Sequence, residues 1–296
     1  MGPPTLYGPR KASLTLDIIV VGCGISGLCT AFCLTQAGHR VTIIESSSMV
    51  GPEVGAGVLL GPNSSRLLRR WGLGKPLDEV AIRPEGVAMR KYSNGERLSF
   101  NQWGATAERR FGAPYYQIHR ADLHKSLYDL AAPHVTVILG SPVVGCDPNP
   151  VAPSVTLKSG RVLKADLIVG ADGLKSYIQE VVLGEPNRAD PTGDAAYRAL
   201  IPTSLMMQDP GMRELIEPPQ LTTWMAPMRH LVGYPIVSPF FFRKSRLGRA
   251  DHWDHFQRKE TYNLVFMVPD DGSVESWGTE GDIHEMKRDV DDFEPR

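Results

Sequence analysis

The sequence carries almost no net charge, because its 296 residues include 32 lysines and arginines and 33 aspartates and glutamates. A strong positive excess is typical of proteins that bind nucleic acid or anionic membrane surfaces, so neither partner is expected. No apolar run approaches the roughly 20 residues that cross a bilayer, which argues against stable membrane association. Residues 1–15 lack the apolar stretch of a secretory signal and are predicted to form a flexible tail.

Cysteine is also scarce, with four residues at Cys23, Cys29, Cys33 and Cys146. None forms a Cys-x-x-Cys pair or has histidines at metal-ligand spacing, so no metal site is predicted. The thiols are expected to be small buried side chains in a reducing compartment. We therefore expect a cytoplasmic location.

Glycine, by contrast, is placed in a distinctive pattern near the start of the chain. The apolar run Asp17–Val21 reads as a buried parallel strand and is followed by a Gly-x-Gly-x-x-Gly turn. Residues 28–37 have helical spacing, and residues 41–44 form a second apolar run that ends at Glu45. Strand, glycine turn, helix, strand and acid within about 30 residues predict a dinucleotide-binding unit.

Each residue of this pattern has a predicted role. Gly22 permits the tight turn, Gly24 lets a pyrophosphate approach the backbone, and Gly27 lets helix and strand pack closely. The helix N-terminus offers free N–H groups to phosphate, and Glu45 can accept hydrogen bonds from ribose hydroxyls. The alternative is a glycine turn in an ordinary α/β protein.

A second motif ends a later strand. Residues 165–170 form an apolar run that closes in Gly170-Ala171-Asp172-Gly173, just before a predicted helix. This places a carboxylate at the carboxyl edge of a parallel sheet, where ligands bind in open α/β folds. Because Ala-Asp-Gly is also a common turn, the cofactor role of Asp172 depends on the first motif.

The remaining pattern predicts a second layer. An Asn94-Gly95 turn predicts a hairpin over residues 86–100, and residues 120–131 have the spacing of an amphipathic helix. After Pro191 the chain reads as successive strands with no intervening helices, which favours an antiparallel sheet. The predicted fold class is α/β, a Rossmann-like nucleotide-binding domain with an inserted antiparallel β-sheet substrate domain.

These motifs together resemble the FAD-dependent aromatic hydroxylases, the single-component flavoprotein monooxygenases, and most of all their fungal salicylate-hydroxylase-like members. The resemblance is carried by the glycine turn with Glu45, by residues 55–72 with Ile118-His-Arg-Ala-Asp-Leu-His124, and by Gly170–Gly173 with Tyr197-Arg-Ala. It implies an FAD-binding domain over residues 16–185, with the hairpin 86–100 in the substrate layer, and a substrate-domain sheet over residues 186–296.

The resemblance also implies roles for single residues. Glu45 would hold the adenosine ribose of FAD, the backbone of Gly57 and Val58 would lie near the flavin, and Arg120 would contact the cofactor. Asp172 would lie near the pyrophosphate and the approach of NAD(P)H. The implied function is hydroxylation of a phenolic or aromatic small molecule with NAD(P)H and O2, in secondary metabolism.

Two further residues match positions that orient a phenolate in the fungal relatives. They are Arg198 and Tyr234, in Tyr-Arg-Ala and Gly-Tyr-Pro. A guanidinium would stabilise the electron-rich phenolate. The alternatives are a surface arginine at a strand end and a packed core tyrosine.

The chain departs from the family in two places. It stops at Arg296, before the Gly-Asp and Ala-Ala-His-Pro motif that completes the family's FAD site, so we expect a C-terminally truncated member. Residues 237–257 interrupt two strands that would otherwise pair, and 21 codons make a plausible in-frame intron. We interpret this segment as a retained intron, with a true surface insertion as the alternative.

Two other functions stay open. An NAD-linked dehydrogenase uses the same glycine fingerprint, although no recognisable catalytic Tyr-x-x-x-Lys pattern follows it here. A truncated, non-catalytic fragment is the other possibility.

Overall fold

The structure is a computed structural model that describes residues 11–49, 56–186, 190–236, 261–270, 272 and 282–294. Residues 1–10 of the predicted tail and the whole suspected intron, 237–257, lie outside the described residues.

The strands, in chain order, are β1 Asp17–Val21, β2 Arg40–Ile44, β3 Gly57–Leu60, β4 Gly86–Lys91, β5 Arg97–Gln102, β6 Tyr116–His119, β7 Thr136–Ile138, β8 Val143–Asp147, β9 Ser154–Leu157, β10 Val162–Lys164, β11 Leu167–Gly170, β12 Asp194–Pro202, β13 Leu221–Ala226, β14 Arg229–Ile236 and β15 Thr261–Pro269. The α-helices are α1 Ile25–Ala37, α2 Pro62–Leu68, α3 Gly74–Val80, α4 Gly104–Phe111, α5 Arg120–Ala131, α6 Tyr177–Leu183, α7 Thr203–Met206, α8 Pro210–Arg213 and α9 Ile283–Asp289.

The chain divides into two compact units. The first comprises Met1–Glu53, Arg70–Pro76 and Ala121–Asp190, and the second comprises Val54–Arg69, Leu77–Arg120 and Pro191–Arg296. Each unit has its own sheets.

The first unit is built on a parallel sheet with strand order β11-β1-β2-β7. Val21 lies in register with Gly170 on one side and with Ile44 on the other. The ends of these three strands therefore meet at one edge, which brings the glycine turn, Glu45 and Asp172 to the same side of the sheet. This is the arrangement that the sequence predicted.

An antiparallel sheet of order β10-β9-β8 forms a second layer of this unit. Apolar residues at alternate positions of β9 face the parallel sheet, because successive strand residues point to opposite sides. The buried cluster between these elements consists of Ile19, Val21, Ile44, Val155, Leu157 and Ile178.

The second unit is built on a six-stranded sheet of order β12-β15-β14-β13-β4-β5. The predicted hairpin, β4 with β5, joins this sheet at β13. That junction is parallel, whereas the sequence predicted an antiparallel sheet throughout. The difference arises because β4 comes from an earlier part of the chain and no short turn ties it to β13.

The two faces of this sheet pack against different partners. On one face Tyr262 and Trp224 lie in a cluster with residues of α7 and the segment after α8. On the other face Tyr234, Leu221 and Ile236 pack against Leu59 of the two-stranded ribbon β3-β6. The predicted class, an α/β fold with a Rossmann-like sheet and an inserted, mainly antiparallel sheet, is confirmed.

Candidate functional site

The glycine turn of the first unit is shaped by close backbone contacts. Gly22 has φ +105°, and a Cβ there would lie 2.3 Å from the carbonyl oxygen of Ala171. A Cβ on Gly27 would lie 2.0 Å from the carbonyl oxygen of Gly22. A Cβ on Gly24, in contrast, would meet no atom of the described residues within 4 Å. Two glycines are therefore needed for packing, while the third faces open space that a ligand could enter.

This open space lies at the start of α1. Gly24 is the residue that precedes the helix, so its position offers no side chain to cap the first turn, and the first turn carries no acidic residue. The first N–H groups of a helix have no partner within the helix, and they carry partial positive charge. The N-terminus of α1 therefore suits a phosphate group.

Glu45 fastens the turn to the end of β2. One carboxylate oxygen accepts the Cys23 N–H at 2.8 Å, and the other accepts the Ser47 N–H at 2.7 Å and the Ser46 hydroxyl at 3.0 Å. Burial acts to raise the pKa of Glu45, but these hydrogen bonds outweigh it and hold the pKa below its ordinary value. A carboxylate has about four acceptor positions, so capacity remains for a ribose hydroxyl.

His124, on α5, fixes the same turn from another side. Its Nε2 lies 2.8 Å from the carbonyl oxygen of Cys23, and the ring is buried. Because a carbonyl only accepts, Nε2 carries the proton in this contact. The sequence placed His124 in a family-like stretch but gave it no role.

Asp172 is committed to the start of α6. Its carboxylate accepts the Ser176 hydroxyl at 2.6 Å and the Ile178 N–H at 3.1 Å, and the Ser176 oxygen in turn accepts the Gln179 N–H. The residue therefore holds the beginning of that helix, as an N-terminal acid does. Its role beside the pyrophosphate stays a prediction.

In the second unit, Gly57 lies against Tyr234. A Cβ at Gly57 would fall 2.7 Å from Cε2 of the tyrosine and 2.9 Å from its hydroxyl oxygen. The Gly57 N–H donates to Oδ1 of Asn263 at 2.8 Å. Val58, next in β3, pairs with Ile118 of β6.

Tyr234 is almost fully buried, with 4% of its surface exposed. Burial raises its pKa well above the ordinary range, Arg198 acts to lower it, and Tyr115 acts to raise it. Arg198 lies exposed on β12, on the same face of the sheet as Tyr234 and two residues from Leu200, which aligns with Tyr234 through Asn263. The structure thus gathers both predicted substrate residues in the second unit, although it also makes Tyr234 a packed tyrosine.

Arg120 begins α5, and its N–H donates to the Ala56 carbonyl at 3.2 Å. The sequence patterns did not indicate two residues of this unit, Tyr115 and Asn263. The ring of Tyr115 stacks on Trp103 with 4.0 Å between the ring centroids. The run Pro114-Tyr-Tyr116 could have signalled an aromatic wall. No local pattern marks Asn263, because its contact spans 206 positions.

Together, the parallel sheet, the open glycine turn and the acid after β2 define a dinucleotide-binding protein of the Rossmann class. The model of the FAD binding domain matches residues 15–230. The chain therefore belongs to the FAD binding domain family, and the predicted resemblance to flavoprotein monooxygenases is confirmed.

Several curated relatives are monooxygenases by name. The chain is 32% identical over 237 residues to 3-amino-4-hydroxybenzoate 2-monooxygenase PtnB3 of Streptomyces platensis, covering 80% of this chain and 57% of the relative. It is 37% identical to FAD-dependent monooxygenase cfoG of Aspergillus candidus, covering 88% and 62%. The chain thus spans about three fifths of the length of these relatives.

Solved structures show the same fold at lower identity. CtdE in complex with FAD and substrate 4 matches with a TM-score of 0.77 and 19% identity, over 94% of this chain and 63% of that one. Native FqzB matches with a TM-score of 0.75 and 20% identity, over 97% and 62%.

The residues present fit the predicted cofactor, FAD. The space at Gly24, the uncapped start of α1 and the spare acceptor capacity of Glu45 are what an adenosine diphosphate group requires. Within the described residues, no helix is both long and apolar enough to span a membrane.

Proposed function

We propose that the protein is an FAD-dependent monooxygenase that hydroxylates a phenolic or aromatic small molecule, with NAD(P)H and O2 as co-substrates. The observation that carries this proposal is the open, Glu45-fastened glycine turn inside a chain region that matches the FAD binding domain. Bound FAD would supply the redox chemistry, taking electrons from NAD(P)H and activating O2.

The cofactor-binding roles follow the site as built. Gly22 and Gly27 shape the turn, Gly24 leaves room for the pyrophosphate, and Glu45 holds the ribose. Toward the flavin, we propose the backbone of Gly57 and Val58 together with Arg120. Asp172 holds the start of α6 and lies near the pyrophosphate.

For the substrate, we propose that Arg198 and Tyr234 orient a phenolate. The exposed guanidinium of Arg198 is available to an anionic ring oxygen, and charge-assisted hydrogen bonds of this kind are about twice as strong as neutral ones. Its effect on the pKa of Tyr234 supports the idea that the two groups act on one ligand. The aromatic substrates in the names of the relatives support this substrate class.

We further propose a cytoplasmic role in secondary metabolism. The four cysteines are free, which suits a reducing compartment. The fungal relatives are named as FAD-dependent monooxygenases.

An absorbance spectrum of the purified protein, followed by an assay of NAD(P)H oxidation with a panel of phenols, tests the proposal. We expect flavin bands in the near-UV and blue, and phenol-stimulated NAD(P)H oxidation that yields a product labelled from 18O2. A colourless protein that binds NAD would instead favour the dehydrogenase. A protein that binds neither nucleotide would favour the non-catalytic fragment.

The substrate role of Arg198 has its own test. Arg198→Ala should lower hydroxylation at least tenfold without changing flavin affinity, and Arg198→Lys should restore only part of it, because an ammonium lacks the planar fork. Arg97→Ala, at an exposed arginine on the opposite edge of the same sheet, is the matched control. Parental hydroxylation in both Arg198 variants would show that this assignment is wrong.

A further inference from the structure

The peptide between Ala56 and Gly57 is held at both of its polar atoms. Its N–H donates to Oδ1 of Asn263 at 2.8 Å, and its carbonyl accepts the N–H of Arg120 at 3.2 Å. A peptide plane tied at both atoms cannot rotate without losing one of the two hydrogen bonds. Asn263 therefore helps to set the orientation of the backbone at the start of β3.

The same glycine is the surface on which Tyr234 rests. The space that a Cβ of Gly57 would occupy is filled by the Tyr234 ring and hydroxyl. Asn263 and Tyr234 are direct partners on the neighbouring antiparallel strands β15 and β14. Their side chains thus share one face of the sheet, and both reach Gly57.

Asn263 occupies a costly position for an amide. It is fully buried, and its Nδ2 has no hydrogen-bond partner among the described residues. A buried donor without a partner lowers stability, and an apolar side chain at this position would avoid that cost. The hydrogen bond that its Oδ1 accepts from the Gly57 N–H therefore accounts for an asparagine at this buried position.

We propose that Asn263 is a positioning residue for the phenol-binding end of the site. It acts through Gly57, and it fixes where the Tyr234 hydroxyl lies relative to the β3 backbone. The inference rests on the proposed function, because it takes Tyr234 as a group that orients a phenolic ligand.

Three variants separate positioning from a general structural role. Asn263→Leu removes the acceptor and keeps the branched shape of the side chain with somewhat more bulk, whereas Asn263→Asp keeps an acceptor for the Gly57 N–H. Thr261→Val is the matched control, because Thr261 lies two residues earlier on the same strand and face. It is also buried, and its hydroxyl has no hydrogen-bond partner among the described residues.

Two quantities are measured. The first is the rate of amide hydrogen exchange at Gly57. The second is the dissociation constant of 3-hydroxybenzoate, which tryptophan fluorescence reports for the protein with and without FAD. Asn263→Leu should speed Gly57 exchange at least tenfold and weaken binding of the phenol about tenfold, the order of effect that one hydrogen bond has. Asn263→Asp should retain more affinity and slower Gly57 exchange than Asn263→Leu, and Thr261→Val should match the parent.

The outcomes are distinguishable. Parental phenol affinity in Asn263→Leu, or an equal loss in Thr261→Val, would overturn the inference and leave the proposed function standing. Failure of the parent itself to bind 3-hydroxybenzoate or any other phenol of the panel would contradict the proposed function. If Asn263→Leu does not fold, Asn263→Ala, which removes the acceptor without adding bulk, carries the same expectation.

Discussion

Glu45 acts on the protein before any ligand arrives, because its carboxylate gathers two backbone N–H groups and a hydroxyl. Its hydrogen bonds join the turn after β1 to the chain after β2. Substitution should therefore affect both stability and cofactor binding.

We predict that Glu45→Gln lowers the free energy of unfolding by about 1.5–3 kcal/mol, the scale for hydrogen bonds to a charged group. It should also weaken FAD binding, since ribose hydroxyls lose a carboxylate acceptor. Denaturant unfolding and a flavin titration measure the two effects. Glu185→Gln, at an exposed carboxylate of the same unit, should change neither. Unchanged FAD affinity in Glu45→Gln would refute the ribose role.

Asp122, in the first turn of α5, has a raised pKa, in contrast to the lowered pKa of Glu45. Burial raises its pKa to about 6 from an ordinary 3.8, against a smaller opposing effect of Lys125. The folded protein thus binds a proton that the unfolded chain would release between these values.

The sign of the pH effect follows. The contribution of Asp122 to stability is fully present below about pH 3.8 and is lost as the pH rises through about 6. We predict that Asp122→Asn removes this part of the decline, so that the difference in Tm between variant and parent grows from pH 4 to pH 7. Melting curves across that range measure it, and a difference independent of pH would contradict the prediction.

At the scale of the element, the glycines of the turn between β1 and α1 have two different environments. Gly22 and Gly27 pack against backbone atoms, whereas Gly24 faces open space. Gly27→Ala places a methyl group 2.0 Å from the Gly22 carbonyl oxygen, whereas Gly24→Ala places one in open space. The two substitutions are the same chemical change in one turn, so each controls for the other.

We predict that Gly27→Ala destabilises the fold by about 1–3 kcal/mol or more, as overpacking does. Gly24→Ala should change the stability by less than about 1 kcal/mol, because restriction of the unfolded chain opposes the poorer capping by alanine at this position. Yet it should weaken FAD binding, since the methyl group fills the space that we propose for the pyrophosphate. Calorimetry and flavin titration measure these effects. Parental FAD affinity in Gly24→Ala would show that the ligand does not approach there.

At the scale of the whole molecule, a cofactor that binds only the folded state should stabilise it. At 100 times its Kd, FAD should add about 2.7 kcal/mol. This should raise the Tm by about 4 °C in a chain of this size. FMN, which lacks the adenosine half that we propose Glu45 holds, should shift the Tm far less. A larger shift with NAD than with FAD would favour the dehydrogenase. Thermal melts with the three nucleotides decide between them.

Much of this architecture could be predicted from local patterns. The α5 helix has its predicted bounds, and the Asn94-Gly95 turn joins the two strands that it indicated. α4 was missed because its polar sequence has few apolar positions, and the parallel β13-β4 junction was missed because no short turn encodes it. Glycine and acid patterns are local, so they marked the nucleotide turn. The contact of Asn263 with Gly57 is not local, so one sequence could not show it.

The contact between Gly57 and Tyr234 limits how the protein can vary. Any side chain at position 57 collides with the tyrosine ring, so a variant there can survive only if position 234 shrinks at the same time. Random mutagenesis that changes one codon at a time will therefore find only glycine at position 57. A library that pairs alanine at 57 with small residues at 234 opens a route to reshaping the proposed phenol site that single substitutions at position 57 cannot reach.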